Sequence, residues 1–274
     1  MWSQIYESGR DQTAYSLVET SDGGYAIAGS SGFQPSEDFC LVKTDEMGFM
    51  QWLKTFGGNA TEIAYSVVEA SDGGYVLAGG TASFGAGSDD FWLVKTDANG
   101  IMQWNRTYGG PDSETAYSLV KTFDGGYALS GDGLLVKTDV YGNMEWNQTY
   151  SGPASSLIAT SDGGYSFIIS PKRWIKTDAQ GIMEWNQFYE MEWFMDARYP
   201  ISVIETSDGG YAIAGYRSIG FLGTTVFWVI KTDAQGIIPE FPSWAPVLVM
   251  VVALVAMIVV YRYNLKKLRG WATA

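Results

Sequence analysis

Along most of this chain apolar and polar positions alternate with a period of two, in short runs broken by glycine-rich turns. Residues 64–108 show the pattern in full. "AYSVVEA" and "GGYVLAGG" are two alternating runs joined by Ser-Asp-Gly-Gly, a hairpin signal in which glycine supplies the positive φ of a tight turn. "DFWLVKT" and "GIMQWNRTY" follow as a second pair, joined by Asp-Ala-Asn-Gly. Val, Tyr, Trp and Thr dominate these runs, and none carries a sustained helical period. The pattern predicts four short antiparallel strands, A to D.

The same words return along the chain. The Asp of a DGGY word stands at Asp22, Asp72, Asp124, Asp162 and Asp208; the Lys of a Lys-Thr-Asp word at Lys43, Lys95, Lys137, Lys176 and Lys231; and a strand D Trp at Trp2, Trp52, Trp104, Trp146 and Trp185. A spacing of about 40 to 55 residues is the size of one propeller blade. After the fifth Lys-Thr-Asp the chain reads "AQGIIPEFPSW" with no strand D, whereas "WSQIY" at residues 2–6 is a strand D word with nothing before it. The expectation is an all-β, five-bladed β-propeller of four-stranded antiparallel blades over residues 1–236, closed by the N-terminal strand so that no sheet edge stays open; the alternative is a sequence that has lost earlier blades.

One segment breaks the pattern. From Phe241 to Tyr261 the chain is apolar on every face and uncharged, long enough to cross a bilayer as a helix, with Trp244 and Tyr261 near its ends. Arg262, Lys266, Lys267 and Arg269 follow at once, which by the positive-inside rule puts the last residues in the cytoplasm. The expected organisation is a propeller ectodomain (1–236), a Pro-containing linker (237–243), a transmembrane helix (244–262) and a basic tail (263–274). The opening "MWSQIYESGR" has neither a basic start nor an apolar h-region, so the expectation for an exported protein is a start that has lost its signal, the alternative being insertion directed by the anchor itself.

Composition narrows the chemistry. The 30 acidic residues all precede the apolar run, against 13 of the 17 basic ones, so nucleic acid is excluded as a partner. There is no histidine, which removes the commonest general base and zinc ligand. The single cysteine, Cys40, stands where the next repeat has Trp92 and reads as a buried strand residue without a disulfide.

The wording "SDGGYVLAG", "DFWLVKTDANG" and the following Trp resembles the DGGY-type propeller repeats of bacterial and archaeal surface proteins, over nearly all of residues 1–236. "PEFPSW" before an apolar span and basic residues resembles the PEF-CTERM sorting signal of archaeal surface proteins, with Pro239, Glu240 and Phe241 matching the motif. That resemblance implies processing by an archaeosortase-like membrane enzyme; the tail after the span is longer than the family pattern, which leaves retention as an anchor open. Three sequons, at Asn59, Asn105 and Asn147, suit an exterior address.

Strand alternation puts all A–B and C–D turns on one face and the variable B–C and D–A loops on the other. The chain leaves for the membrane after a C–D turn, so the variable face is expected to point outward. Candidates for ligand binding there are Trp193, Phe194, Asp196, Arg198 and Tyr199 in the loop 189–200, with Tyr216, Arg217 and Phe221 in the next B–C loop: rings and charges suited to a glycan or a protein. Asp11, Glu62 and Glu114 before strand A are candidate calcium ligands, with Asp38 and Asp90 before strand C. No other cofactor is expected. The expected function is a membrane-anchored surface binding or adhesion module; the alternatives are a structural envelope component and a glycan-cleaving enzyme using paired carboxylates.

Overall fold

The computed structural model describes residues 3–6, 9–33, 36–169, 173–188, 196–219 and 224–238, with the backbone alone at 196–199, 217–219 and 224–225. Every regular element among them is a β-strand. β1 (Asp11–Glu19), β2 (Tyr25–Phe33), β3 (Ser36–Thr44) and β4 (Met50–Phe56) form an antiparallel sheet in chain order. β5 (Glu62–Glu69), β6 (Tyr75–Thr81), β7 (Asp90–Thr96) and β8 (Met102–Tyr108) form a second.

The third sheet has six strands: β9 (Ala116–Lys121), β10 (Tyr127–Thr138), β11 (Met144–Ala159), β12 (Tyr165–Ile169), β13 (Arg173–Thr177) and β14 (Met183–Phe188). It spans two repeats because β11 runs on without a break, pairing with β10 through its first half and with β12 through its second. β10 doubles back on itself: Thr138 Oγ1 reaches the Tyr127 carbonyl at 3.5 Å, which a straight strand of that length forbids. The fourth sheet holds β15 (Asp196–Glu205), β16 (Tyr211–Ile219) and β17 (Thr224–Thr232).

Successive repeats pack face to face through apolar clusters, the first joining Ala26, Phe39 and Leu41 to Val67, Tyr75, Leu77 and Trp92. The later clusters repeat that arrangement along the chain. Four antiparallel sheets stacked in this way make a β-propeller. Residues 3–6 join no sheet, and β17 has no fourth strand beside it among the described residues. The expected closure by the N-terminal strand is therefore absent from the described sheets. The apolar span, the basic tail and Pro239, Glu240 and Phe241 lie outside the described residues; no helix among those described is long and apolar enough to cross a membrane.

The repeated words hold the blades together. Each Lys-Thr-Asp lysine donates from its Nζ to the DGGY aspartate and to the carbonyl of the next threonine, as Lys95 does to Asp72 at 2.8 Å and Thr96 O at 2.7 Å. This clamp fastens the A–B turn to the end of strand C. The two glycines of DGG serve different ends. Gly73 has φ +78 with open space around it, whereas a Cβ on Gly74 would lie 2.1 Å from Thr96 O and 2.5 Å from Lys95 Nζ. The strand D Trp crosses to the following repeat, Trp52 meeting Tyr75 at 5.8 Å and Trp146 meeting Tyr165 at 5.7 Å between ring centroids.

Candidate functional site

Strand A is the innermost strand of each repeat, since backbone amides of one strand A reach serines of the one before. Val67 N donates to Ser16 Oγ, Leu157 N to Ser118 Oγ and Val203 N to Ser156 Oγ. A β-bulge interrupts each of these strands. Between Ala14 and Ser16, and between Ala64 and Ser66, one residue has no partner on strand B; Tyr117 is passed over in the same way in β9 and Ile201 in β15. In β11 the shift lies between Ser155 and Ile158, where Ser156 has φ 52.

The strand B glycine opposite the bulge makes it feasible. A Cβ on Gly29, Gly79 or Gly131 would sit 1.8 Å from the carbonyl of Thr13, Ile63 or Thr115. Bulges re-aim side chains, and here they turn Tyr15, Tyr65 and Tyr117 out of the blade packing. The three rings form a row, with centroids 4.9 Å apart between Tyr15 and Tyr65 and 5.2 Å between Tyr65 and Tyr117. Tyr15 is 47% and Tyr117 37% exposed.

A carboxylate finishes the row. Tyr117 Oη donates to Asp132 Oδ2 at 3.2 Å, and the same oxygen accepts from Thr115 N. Burial and the neighbouring Asp132 push the Tyr117 phenol up to about 12. Tyr65 is raised too, by burial first and then by Tyr15, Glu37, Asp132 and Asp89. The row thus lies in a negative field.

Asp132 also lines a cleft of about 530 Å³ with Asp112, Glu114, Asn147 and Thr149. The cleft opens because the third repeat has almost no B–C loop. Its Asp124 and Lys137 are 13 residues apart, where the first two repeats space the same pair by 21 and 23.

Of the residues expected to bind ligand, Trp193, Phe194 and Phe221 lie outside the described residues. Asp196, Arg198 and Tyr199 were expected in a loop but belong to β15, and Tyr216 and Arg217 to β16, because the hairpin extends its pairing outward. Arg198 pairs with Arg217 and Tyr199 with Tyr216 in the backbone register, and Tyr216 is 38% exposed.

The calcium candidates do not converge. Asp11 is exposed at the start of β1. Glu62 is fully buried and accepts from Gly58 N, Thr81 Oγ1 and Ser83 N, so its lone pairs hold a loop. Glu114 accepts from Gly110 N. Among the described residues no group of three acidic, Cys or His side chains is placed to hold a metal.

Carboxylates do pair between repeats. A Cβ on Gly57 would lie 1.9 Å from Asp38 Oδ1 and 2.7 Å from Glu62 Oε2, and Gly109 stands likewise between Asp90 and Glu114. Desolvation, then the Glu62 charge, raises the Asp38 carboxyl, with Arg10 opposing. Asp90 is 1% exposed and accepts from Ala86 N and Gly87 N, so this pair too is engaged in holding a loop. The sequon residues Asn59, Asn105 and Asn147 are exposed, and Cys40 is buried.

No protein-family model and no curated protein matches the chain. Solved structures do. A Bacteroides caccae protein of unknown function aligns with a TM-score of 0.56 at 12% identity, covering 86% of this chain and 83% of that one. A Dyadobacter fermentans protein of unknown function gives 0.56 at 12% identity, over 86% and 84%. The WD40 domain of Neurospora crassa Pan2 gives 0.55 at 9% identity, over 86% and 73%. At these identities the likeness is one of fold: a β-propeller.

Proposed function

We propose that this chain is a non-enzymatic binding module that engages a glycan or a protein segment at the inner mouth of the propeller, on the face of the variable loops. The observation that carries the reading is the row of Tyr15, Tyr65 and Tyr117, turned by bulges away from the core and ending at Asp132 beside an open cleft. Phenol rings stack on the apolar face of a sugar or a side chain at little entropic cost, while Asp132 and Glu114 accept hydrogen bonds from hydroxyl or amide groups. The Asp38–Glu62 and Asp90–Glu114 pairs, held by backbone amides and loops, support binding over glycan cleavage. The uncharged run 241–261, the basic residues after it and the Pro239–Glu240–Phe241 motif support anchoring in a membrane with the propeller outside.

The finer architecture of this reading is five blades, with residues 2–6 supplying strand D to β15–β17. Tyr6 supports it. Its hydroxyl donates to Gly48 O at 2.8 Å, as the strand D residue Tyr108 does to Gly142 O at 2.6 Å and Tyr150 to Gly181 O. Lys231 supports it as well: its side chain is 45% exposed, where Lys43, Lys95, Lys137 and Lys176, each beside a strand D, are 3–5% exposed.

The test is a thermal-shift titration of the detergent-solubilised full chain with soluble oligosaccharides. A saturable rise in Tm that Tyr65→Leu abolishes supports the site. A rise that survives Tyr65→Leu moves the ligand elsewhere, and release of cleaved sugar would overturn the non-enzymatic reading.

A further inference from the structure

The tyrosine row crosses three repeats, and each repeat sets a carboxylate beside it. Glu37 of β3, Asp89 just before β7 and Asp132 of β10 all act as negative charges on Tyr65, the middle ring. Asp132 also accepts from Tyr117 at 3.2 Å, and Asp112 and Glu114 line the same cleft as Asp132. Asp112 is exposed and the others are half-buried, so none is sealed from a ligand. Among the described residues the chain pairs no cation with them. Every salt bridge there is made by a Lys-Thr-Asp lysine at the A–B turn end of a blade, and Arg10 acts on Asp38.

We infer that the partner held at the row is a basic segment of another protein, its arginine or lysine side chains lying over the phenol rings and pairing with the carboxylates. A cation is drawn to the face of an aromatic ring, and a guanidinium also meets a carboxylate through two parallel N–H bonds. One side chain therefore satisfies a ring and an acid at once. A neutral sugar stacks on the same rings, but it displaces water from the carboxylates without compensating their charge, and an acidic sugar is repelled. The dimensions favour an extended chain over a small amine. From Tyr15 to Tyr117 the row runs up to about 10 Å, the length of three residues of strand, and a single ammonium would cover one ring of the three.

This identity rests on the reading of the row as the binding site, and one set of titrations separates the two. The detergent-solubilised full chain is titrated by calorimetry with a blocked Gly-Arg-Gly-Arg-Gly peptide, its Gly-Gln-Gly-Gln-Gly counterpart and neutral oligosaccharides. Of the two peptides only the arginine one is expected to bind saturably, weakened roughly 5-fold or more by Tyr65→Leu and roughly 10-fold or more by Asp132→Asn. Should Asp132→Asn lose its fold, Glu37→Gln removes a second charge beside Tyr65 and is expected to weaken binding too. Glu46→Gln, in a C–D turn at the opposite end, should leave the affinity unchanged. Equal affinity in Tyr65→Leu and Asp132→Asn would show a diffuse attraction to an acidic surface and overturn the inference. A neutral oligosaccharide that binds through Tyr65 where the arginine peptide does not would keep the site and overturn its basic partner. If Tyr65→Leu alters the binding of neither, the row itself is not the site.

Discussion

At the scale of the residue, the double glycine of each DGGY word separates into two requirements. Gly73 needs a positive φ and nothing else, so Gly73→Asn should cost about 1 kcal/mol, whereas Gly74→Ala drives a Cβ into Thr96 O and Lys95 Nζ and should cost over about 3 kcal/mol. Urea unfolding of both variants checks the order; equal losses would contradict it. The clamps also set an acid limit. Hydrogen bonds from Thr20 and Lys43 hold Asp22 down at about 2; in Asp124 and Asp162 desolvation opposes the shift, but Lys137 and Lys176 and the neighbouring threonines still bring them to about 2. A carboxylate depressed on folding stabilises the native state above its unfolded pKa near 4, and the contribution disappears as pH falls through about 2. The urea midpoint should therefore be steady from pH 6 to 5 and fall between about 4 and 2. A midpoint flat across that interval would show that the clamps carry no linkage.

At the scale of the element, the strands and turns were legible because period-two runs and DGG words are local signals. "AYSVVEA" is recovered as β5 and "DFWLVKT" as β7. The bulge was not legible, for it is a mismatch between two strands and leaves no mark in either alone. Its trace is the combination of a Tyr in the AYS word with a glycine in strand B, read together only once the register is known. The outer candidates in β15 and β16 were assigned to loops because aromatic and charged residues at a hairpin tip have no decisive strand pattern. If the bulge re-aims the ring, deleting Tyr65 should restore regular pairing between β5 and β6, turn Glu62, Ile63 and Ala64 to opposite faces and destabilise the protein by about 2–4 kcal/mol. Tyr65→Leu, which keeps the bulge, should cost under about 1.5 kcal/mol. Similar losses in the two variants would assign the tyrosine to packing.

At the scale of the whole molecule, the β-propeller fold followed from the spacing of three words, but the state of the ends did not. Closure depends on a contact between the first and last repeats, the longest-range contact the chain can make. Deleting residues 1–6 should remove the Tyr6–Gly48 bond, lowering the Tm by several degrees. An unchanged melting curve would show that the segment contributes nothing to the ring.

The lysine clamps and the Trp–Tyr contacts between repeats use the DGGY and Lys-Thr-Asp words at one end of each described blade, while the tyrosine row ends at Asp132, towards the other. The two ends therefore carry separate mutational burdens. Substitutions at the clamped end are purged by loss of folding whatever the ligand is, whereas exposed positions at the other end, apart from the buried Glu62 and Asp90 that hold its loops, are judged by recognition. A lineage can thus exchange its B–C and D–A loops, as the shortened third repeat already shows, and acquire a new specificity without renegotiating its scaffold.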